Sequence, residues 1–477
     1  MHSTEPFDPE SFRAQAHAMA DHLADYLAEV HAQPVLRSTP PEALHALVPG
    51  EFGEAPGGDL IERLQAVIRH SIHVHHPRYL GHQVAAVVPG AVLAEMVAAL
   101  LNNGMAIYEM GQMHTVMERQ LVRFLVRELG YPEGAGGILT GGGSVGNLTA
   151  LLAARQLKAK NDVWKQGQEQ RYAVLVSEES HYSVTRAVQI MGWGSAGVFG
   201  IPTGDDFAVR PEALGETLAR ARAAGREVLA LVASACSTAT GSFDPIDAMA
   251  DFCAAEGLWL HVDGAHGASF VLSPEQRPLL AGIERADSVV WDLHKMMMLP
   301  ATVSAVLYKD ASHAQAAFAQ QASYLYEEEA PEARWYDIGQ RTLECTKRGM
   351  ACVAHSVLHH YGLAVFREHL AEMVALTQAM ARAIEAAPDF ELACEPACNI
   401  LCFRFVAPAE QDSNQLQARL RADLLREGRF YVVQATLRGR LYLRMTLVNP
   451  GTKLADLLAL LEELRRLARL PAPPLPH

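Results

Sequence analysis

WLHVDGAHG, Trp259 to Gly267, and SVVWDLHK, Ser288 to Lys295, are the stretches on which the fold turns. Each is an apolar run of strand length that stops at ionisable side chains, Asp263 in the first and Asp292, His294 and Lys295 in the second. A near-continuous apolar strand is buried on both faces, the pattern of a mostly parallel sheet covered by helices. Outward from these two lie YAVLVS (172 to 177), EVLALVASA (227 to 235) and TVSAVLY (302 to 308), with helical stretches between most of them. The expected class is therefore α/β, and ligands in such sheets bind beyond the carboxyl ends of the strands, where these charged residues fall.

GILTGGGSVGNLTALLAARQ, from Gly137 to Gln156, reads as strand, glycine turn and helix. Its GGGSVG segment satisfies G-x-G-x-x-G, but a dinucleotide site needs an acidic residue about twenty positions on, ending the next strand. Asp162 lies instead in a polar helix-like stretch. The loop reads better as a phosphate cradle, in which the backbone N–H groups of Gly143 and Ser144, with the Ser144 hydroxyl, stand at the positive end of a helix. Lys295 supplies an amine for a Schiff base, Asp263 an anion to keep a pyridine nitrogen protonated, and the loop the phosphate donors. That combination is what pyridoxal 5′-phosphate (PLP) requires.

A chain of 477 residues exceeds the roughly 250 to 300 at which one core stops growing, so at least two packed units are expected. The divisions expected are a helical N-terminal segment, 1 to 70, a large domain, 71 to 358, and a smaller C-terminal α+β domain, 359 to 477. A formal charge of -14 without long basic runs argues against a nucleic-acid surface. The absence of a long apolar run or a basic, apolar leader leads us to expect a cytoplasmic protein. Seven scattered cysteines read as reduced thiols, and no metal is expected: Cys394 and Cys398 have no partner pair, and His70, His73, His75 and His76 read as polar loop or strand.

Ordered along the chain, HHPRYLGH, LNNGMAIYE, the glycine loop, SEESHYSVTRA, ASACSTATGSFDPI, HVDGAHG, GIERADSVVWDLHKMM and LRMTLVNP resemble the group II PLP-dependent amino acid decarboxylases over nearly its whole length. The resemblance implies fold type I, a homodimer with the active site at the subunit interface, and decarboxylation of an L-amino acid to its amine and CO₂. It leans to glutamate, aspartate or cysteine sulfinate. Diaminobutyrate or aromatic substrates, or aldehyde synthase or lyase chemistry on the same fold, are the alternatives.

By position the resemblance implies that Lys295 carries the cofactor, His294 helps hold its phosphate, Asp263 pairs with the ring nitrogen, and Ala265 and His181 cover the two ring faces. Ser237 and Asp244 would support the cofactor edge. Tyr336 is implied as the loop proton donor, with Tyr324 and Tyr326 structural. His82 would meet the substrate side chain and Arg444 its carboxylate. Two departures touch the pocket: Cys236-Ser237-Thr238 stands where the family has Gly-Thr-Thr, and Gly264-Ala265-His266 where it has Ala-Ala-aromatic.

Overall fold

The computed structural model describes residues 5 to 54, 58 to 318, 335 to 406 and 412 to 471. They form two compact units, Gln83–Ala381 with Cys394–Cys402, and Met1–His82 with Arg382–Ala393 and Phe403–His477.

The larger unit is built on seven strands, β1 (Gly136–Thr140), β2 (Tyr172–Ser177), β3 (Val198–Ile201), β4 (Glu227–Ser234), β5 (Trp259–Asp263), β6 (Ser288–Asp292) and β7 (Ser304–Tyr308), ordered β1-β7-β6-β5-β4-β2-β3. Strands β3, β2, β4, β5 and β6 pair in parallel. Strand β7 pairs antiparallel with β6 and β1, so β1 runs with β6 and β7 alone is reversed. The carboxyl ends of β1, β5 and β6 therefore share one edge, which brings the glycine loop, Asp263 and the Asp292–Lys295 turn together.

Burial explains the continuous apolar strands: every residue of β2, β5, β6 and β7 is buried. The helix Gly143–Lys158 lays Leu151, Ala153 and Ala154 on the sheet, in a core shared with Tyr172, Trp259 and Val290. Gly146 permits the close approach, because a Cβ there would lie 3.0 Å from a Val290 methyl. Burying a side chain the size of Leu151 contributes about 1.5–3 kcal/mol, which outweighs solvated ion pairs such as Arg13–Glu10.

A second sheet has four strands, β8 (Phe390–Leu392), β9 (Ile400–Phe405), β10 (Val433–Leu437) and β11 (Arg440–Thr446), ordered β10-β11-β9-β8; all of it belongs to the other unit except the first three residues of β9. The N-terminal helices Pro9–Glu29 and Leu60–His70 belong to this unit. The segment that follows them is stitched to the sheet end: Leu80 donates to the Tyr431 carbonyl, Tyr79 stacks on Tyr431 at 5.3 Å, and Arg78 pairs with Asp456 at 3.1 Å.

Strands β3 and β8 escape the sequence reading because four and three residues are too few to show a period. Strand β10 starts at Val433, so in the run RFYVVQ, 429 to 434, only the last two residues belong to it; Tyr431 bridges Tyr79 instead. Among the described residues no helix is long and apolar enough to cross a membrane, no His, Cys, Asp and Glu cluster could hold a metal ion, and the seven cysteines are free thiols.

Candidate active site

A cavity of about 300 Å³ opens at the carboxyl edge of the large sheet, lined by the glycine loop, His181, Asp263, Ala265, His294 and Lys295. Gly142 enters the helix at a φ of 125°, a conformation that only glycine adopts at low cost. Gly143 then passes so close to β6 that a Cβ would meet Asp292 Oδ2 at 2.8 Å. The loop thus turns its first backbone N–H groups and Ser144 to the cavity, at the positive end of a sixteen-residue helix.

Opposite the loop, Lys295 Nζ lies 3.1 Å from Asp292 Oδ2, and the Ser304 hydroxyl donates to the other Asp292 oxygen. Asp292 therefore parks the ammonium beside the loop. Val303 N donates to His294 Nδ1 at 3.2 Å, which leaves Nε2 facing Asp292 at 3.7 Å. Asp263 ends β5 with Oδ1 accepting from Ala265 N at 3.2 Å and Oδ2 from Asn147 Nδ2 at 2.8 Å. His181 caps the helix Tyr182–Ile190, its Nδ1 taking the Ser183 N–H at 3.3 Å. Burial holds its pKa below the usual imidazole range, against the opposing pull of Asp263.

The residues present fit PLP. One cavity contains N–H donors at a helix start for a dianion, an amine, a carboxylate, Asp263, hydrogen-bonded by Asn147 and Ala265, and an imidazole; among the described residues no other lysine lines it. Lys295, Asp263, His181, Ala265, His294, Gly143 and Ser144 are thus brought together.

The other sequence candidates fall elsewhere. Ser237 turns its hydroxyl to Thr240 at 2.7 Å, while its neighbours Cys236 and Thr238 line the cavity. Asp244 accepts from Ser234 N at 2.7 Å and Val209 N at 2.9 Å, and burial pushes its carboxyl up to about 6. It ties the end of β4 to Val209. His266, by contrast, lines the cavity and bonds Asn399 at 2.8 Å. Tyr336 packs on Tyr108, ring centroids 5.5 Å apart, and is not among the cavity's lining residues; Tyr324 and Tyr326 lie outside the described residues. In the other unit Arg444 is buried on β11, with Tyr442 and Thr446 on the same face. It acts electrostatically on His82, whose pKa burial, then Arg444 and Arg421, hold below normal.

Sequence reasoning missed Asn147, His261, Ser183 and any specific role for Asp292. The available signal was a polar residue inside an otherwise apolar helix face or strand, which costs stability unless it is hydrogen-bonded.

Strand order, cavity and donor set together define a fold type I PLP enzyme. The pyridoxal-dependent decarboxylase conserved domain matches residues 41 to 406, and the chain belongs to that family. It is 29% identical to the acidic amino acid decarboxylase GADL1 of Bos taurus, over 90% of this chain and 85% of the relative. It is 27% identical to the aromatic-L-amino-acid decarboxylase of Bacillus atrophaeus, over 96% of each. The crystal structure of mouse CSAD superposes with a TM-score of 0.89 at 28% identity, covering 97% of this chain and 99% of that one. The protein is a PLP-dependent amino acid decarboxylase, a carboxy-lyase.

Proposed function

We propose that this decarboxylase acts on an amino acid with an anionic side chain, glutamate, aspartate or cysteine sulfinate. The observation that carries this is His82 in the field of two guanidiniums, Arg444 and Arg421: with Arg444 engaged by the α-carboxylate, the charge of Arg421 still favours an anionic side chain and opposes an ammonium. Arg444 would take the substrate carboxylate by a bidentate contact that lysine does not reproduce, and His82 would meet the side chain. CO₂ release should be fastest with these three substrates among a panel that adds 2,4-diaminobutyrate, tyrosine and tryptophan. Arg444→Lys should raise KM for the best of them with little change in melting temperature. Preference for diaminobutyrate, or an unchanged KM, would sink the assignment.

When bound, PLP supplies a sink for the electron pair released as CO₂ leaves. The cavity lining supports the following roles for the chain's own residues. The N–H groups of Gly143 and Ser144, with His294, would hold the phosphate; Lys295 would provide the attaching amine. Asp292, 3.1 Å away, keeps that amine in place when it is free. Asp263 would pair with the ring nitrogen, and Ala265 and His181 would cover the ring.

Protonation at Cα needs a further donor, and Tyr336 is our candidate. Because it lies outside the cavity of its own chain, it would act in a partner's site. Tyr336→Phe should divert product from amine toward aldehyde or transamination products. An unchanged product ratio and rate would move the donor role to another residue.

A homodimer is supported by the helix Pro89–Leu101, which leaves Leu93, Met96, Val97, Leu100 and Leu101 exposed as a continuous apolar surface. A sedimentation mass of one chain would remove that reading. Free thiols at all seven cysteines support a reducing, cytoplasmic setting.

A further inference from the structure

Behind the cavity runs a chain of buried polar groups whose donor directions can be worked out one by one. Asp263 Oδ2 only accepts, so Asn147, whose Nδ2 lies 2.8 Å away, must turn its NH₂ toward it and its carbonyl the other way. That carbonyl meets His261 Nε2 at 2.9 Å. An amide oxygen cannot donate, so His261 carries a proton on Nε2. Burial pushes the His261 pKa down to about 4, so the ring is neutral and its Nδ1 accepts from the Ser288 hydroxyl at 2.8 Å. Ser288 in turn receives the Trp259 indole N–H at 2.9 Å.

The second N–H of Asn147 goes to Ser183 Oγ at 2.9 Å. His181 Nδ1 already accepts the Ser183 backbone N–H at 3.3 Å, so it is the unprotonated nitrogen and takes the Ser183 hydroxyl proton at 2.7 Å. A neutral His181 then has its proton on Nε2. Every group in the chain from Trp259 to Ser183 is at least 99% inaccessible, so water cannot take a missing member's place without cost.

We propose that Asn147, oriented by His261, Ser288 and Trp259, is the positioning residue that fixes Asp263 as the acceptor for the cofactor's ring nitrogen and fixes His181 as its Nε2–H tautomer. The inference rests on PLP as the cofactor and brings in two further residues, Asn147, which lines the cavity and bonds Asp263, and His261 behind it. Their distance along the chain, 114 residues, is closed only by the packing of the helix Gly143–Lys158 on β5.

The test is the affinity of apoenzyme for PLP and for its 1-deaza analogue, in which carbon replaces the ring nitrogen, read by fluorescence titration. Asn147→Leu should weaken PLP binding about 10- to 100-fold, the scale of one buried hydrogen bond to a charged group left unmade. The deaza analogue, which has no nitrogen for Asp263 to meet, should change little, and the effect on PLP should vanish in an Asp263→Ala background. His261→Leu, which frees the amide to invert, should behave like Asn147→Leu, whereas His261→Gln keeps an N–H for Asn147 and should bind PLP nearly as the wild type does. The His261 pair carries the test if Asn147→Leu fails to fold. In ¹⁵N-histidine spectra of apoenzyme, the signal lost in His181→Gln should report a single Nε2–H tautomer in wild type and a mixture in Asn147→Leu or His261→Leu. Equal losses for both cofactors, or unaltered PLP affinity in the Leu variants, would overturn the proposal. Wild-type apoenzyme that bound neither compound would instead refute the cofactor assignment.

Discussion

Lys295→Ala should abolish covalent attachment of the cofactor and lower turnover by several orders of magnitude. The reason is positional. Lys295 is the lysine that lines the cavity, held 3.1 Å from Asp292 at the end of β6. Two other lysines are near enough in sequence to compete, and neither is suited. Lys309 is exposed beyond the far end of β7, which runs opposite to its neighbours. Lys347 is buried but committed, with Nζ 2.6 Å from Glu118 and also donating to the Leu139 carbonyl. Breaking such a buried pair to free the amine would leave an uncompensated carboxylate, at a cost of about 3–5 kcal/mol. Borohydride reduction of the native holoenzyme followed by peptide mapping should therefore place the cofactor on Lys295. A label on Lys309 or Lys347, or near-native turnover in the alanine variant, would end this assignment.

How much of this was legible follows from where each residue gets its meaning. Strands β2 and β6 were readable residue by residue because strands buried on both faces have no polar positions to blur their ends. Asp263 and Lys295 stood out for the same reason, as charges that interrupt such runs. Gly143 was legible through the strand, turn and helix around it. Asn147 was not, because in sequence it is one more polar residue in a helix, and its partner Asp263 is 116 residues away. Asp292 was visible at the end of its strand, yet its pairing with Lys295 depends on the turn that brings position 295 back over 292. Ser237 is a different case: position relative to a family motif puts it at the cofactor edge, while its hydroxyl bonds Thr240, three residues on, a local partner that no motif reports. Tyr336 is the hardest case, since its role depends on which chain's cavity it serves, and no periodicity within one chain encodes that.

Asp263→Asn should lower kcat by about 10²–10³-fold, the scale of losing one preorganised electrostatic contact, while leaving a measurable fraction of cofactor bound. The substitution keeps the volume at the end of β5 and removes the charge. It also introduces an NH₂ where only acceptors fit, since Oδ2 receives Asn147 Nδ2 at 2.8 Å and Oδ1 receives Ala265 N at 3.2 Å. Whichever way the new amide turns, one donor faces another donor, so part of the loss is positional. The larger part is chemical, because an amide cannot hold a proton on a ring nitrogen as a carboxylate does, and the electron sink weakens with it. Retention of cofactor follows from the other anchors, Lys295 and the N–H groups of the glycine loop, which the substitution does not touch. The visible absorbance of the bound cofactor and the rate of CO₂ release, measured on the same preparation, separate the two effects. Turnover close to wild type with full absorbance would mean that Asp263 does not serve as the ring's counter-charge. Total loss of absorbance with a lowered melting temperature would make its role structural, a brace between β5 and the helix that begins at Gly143.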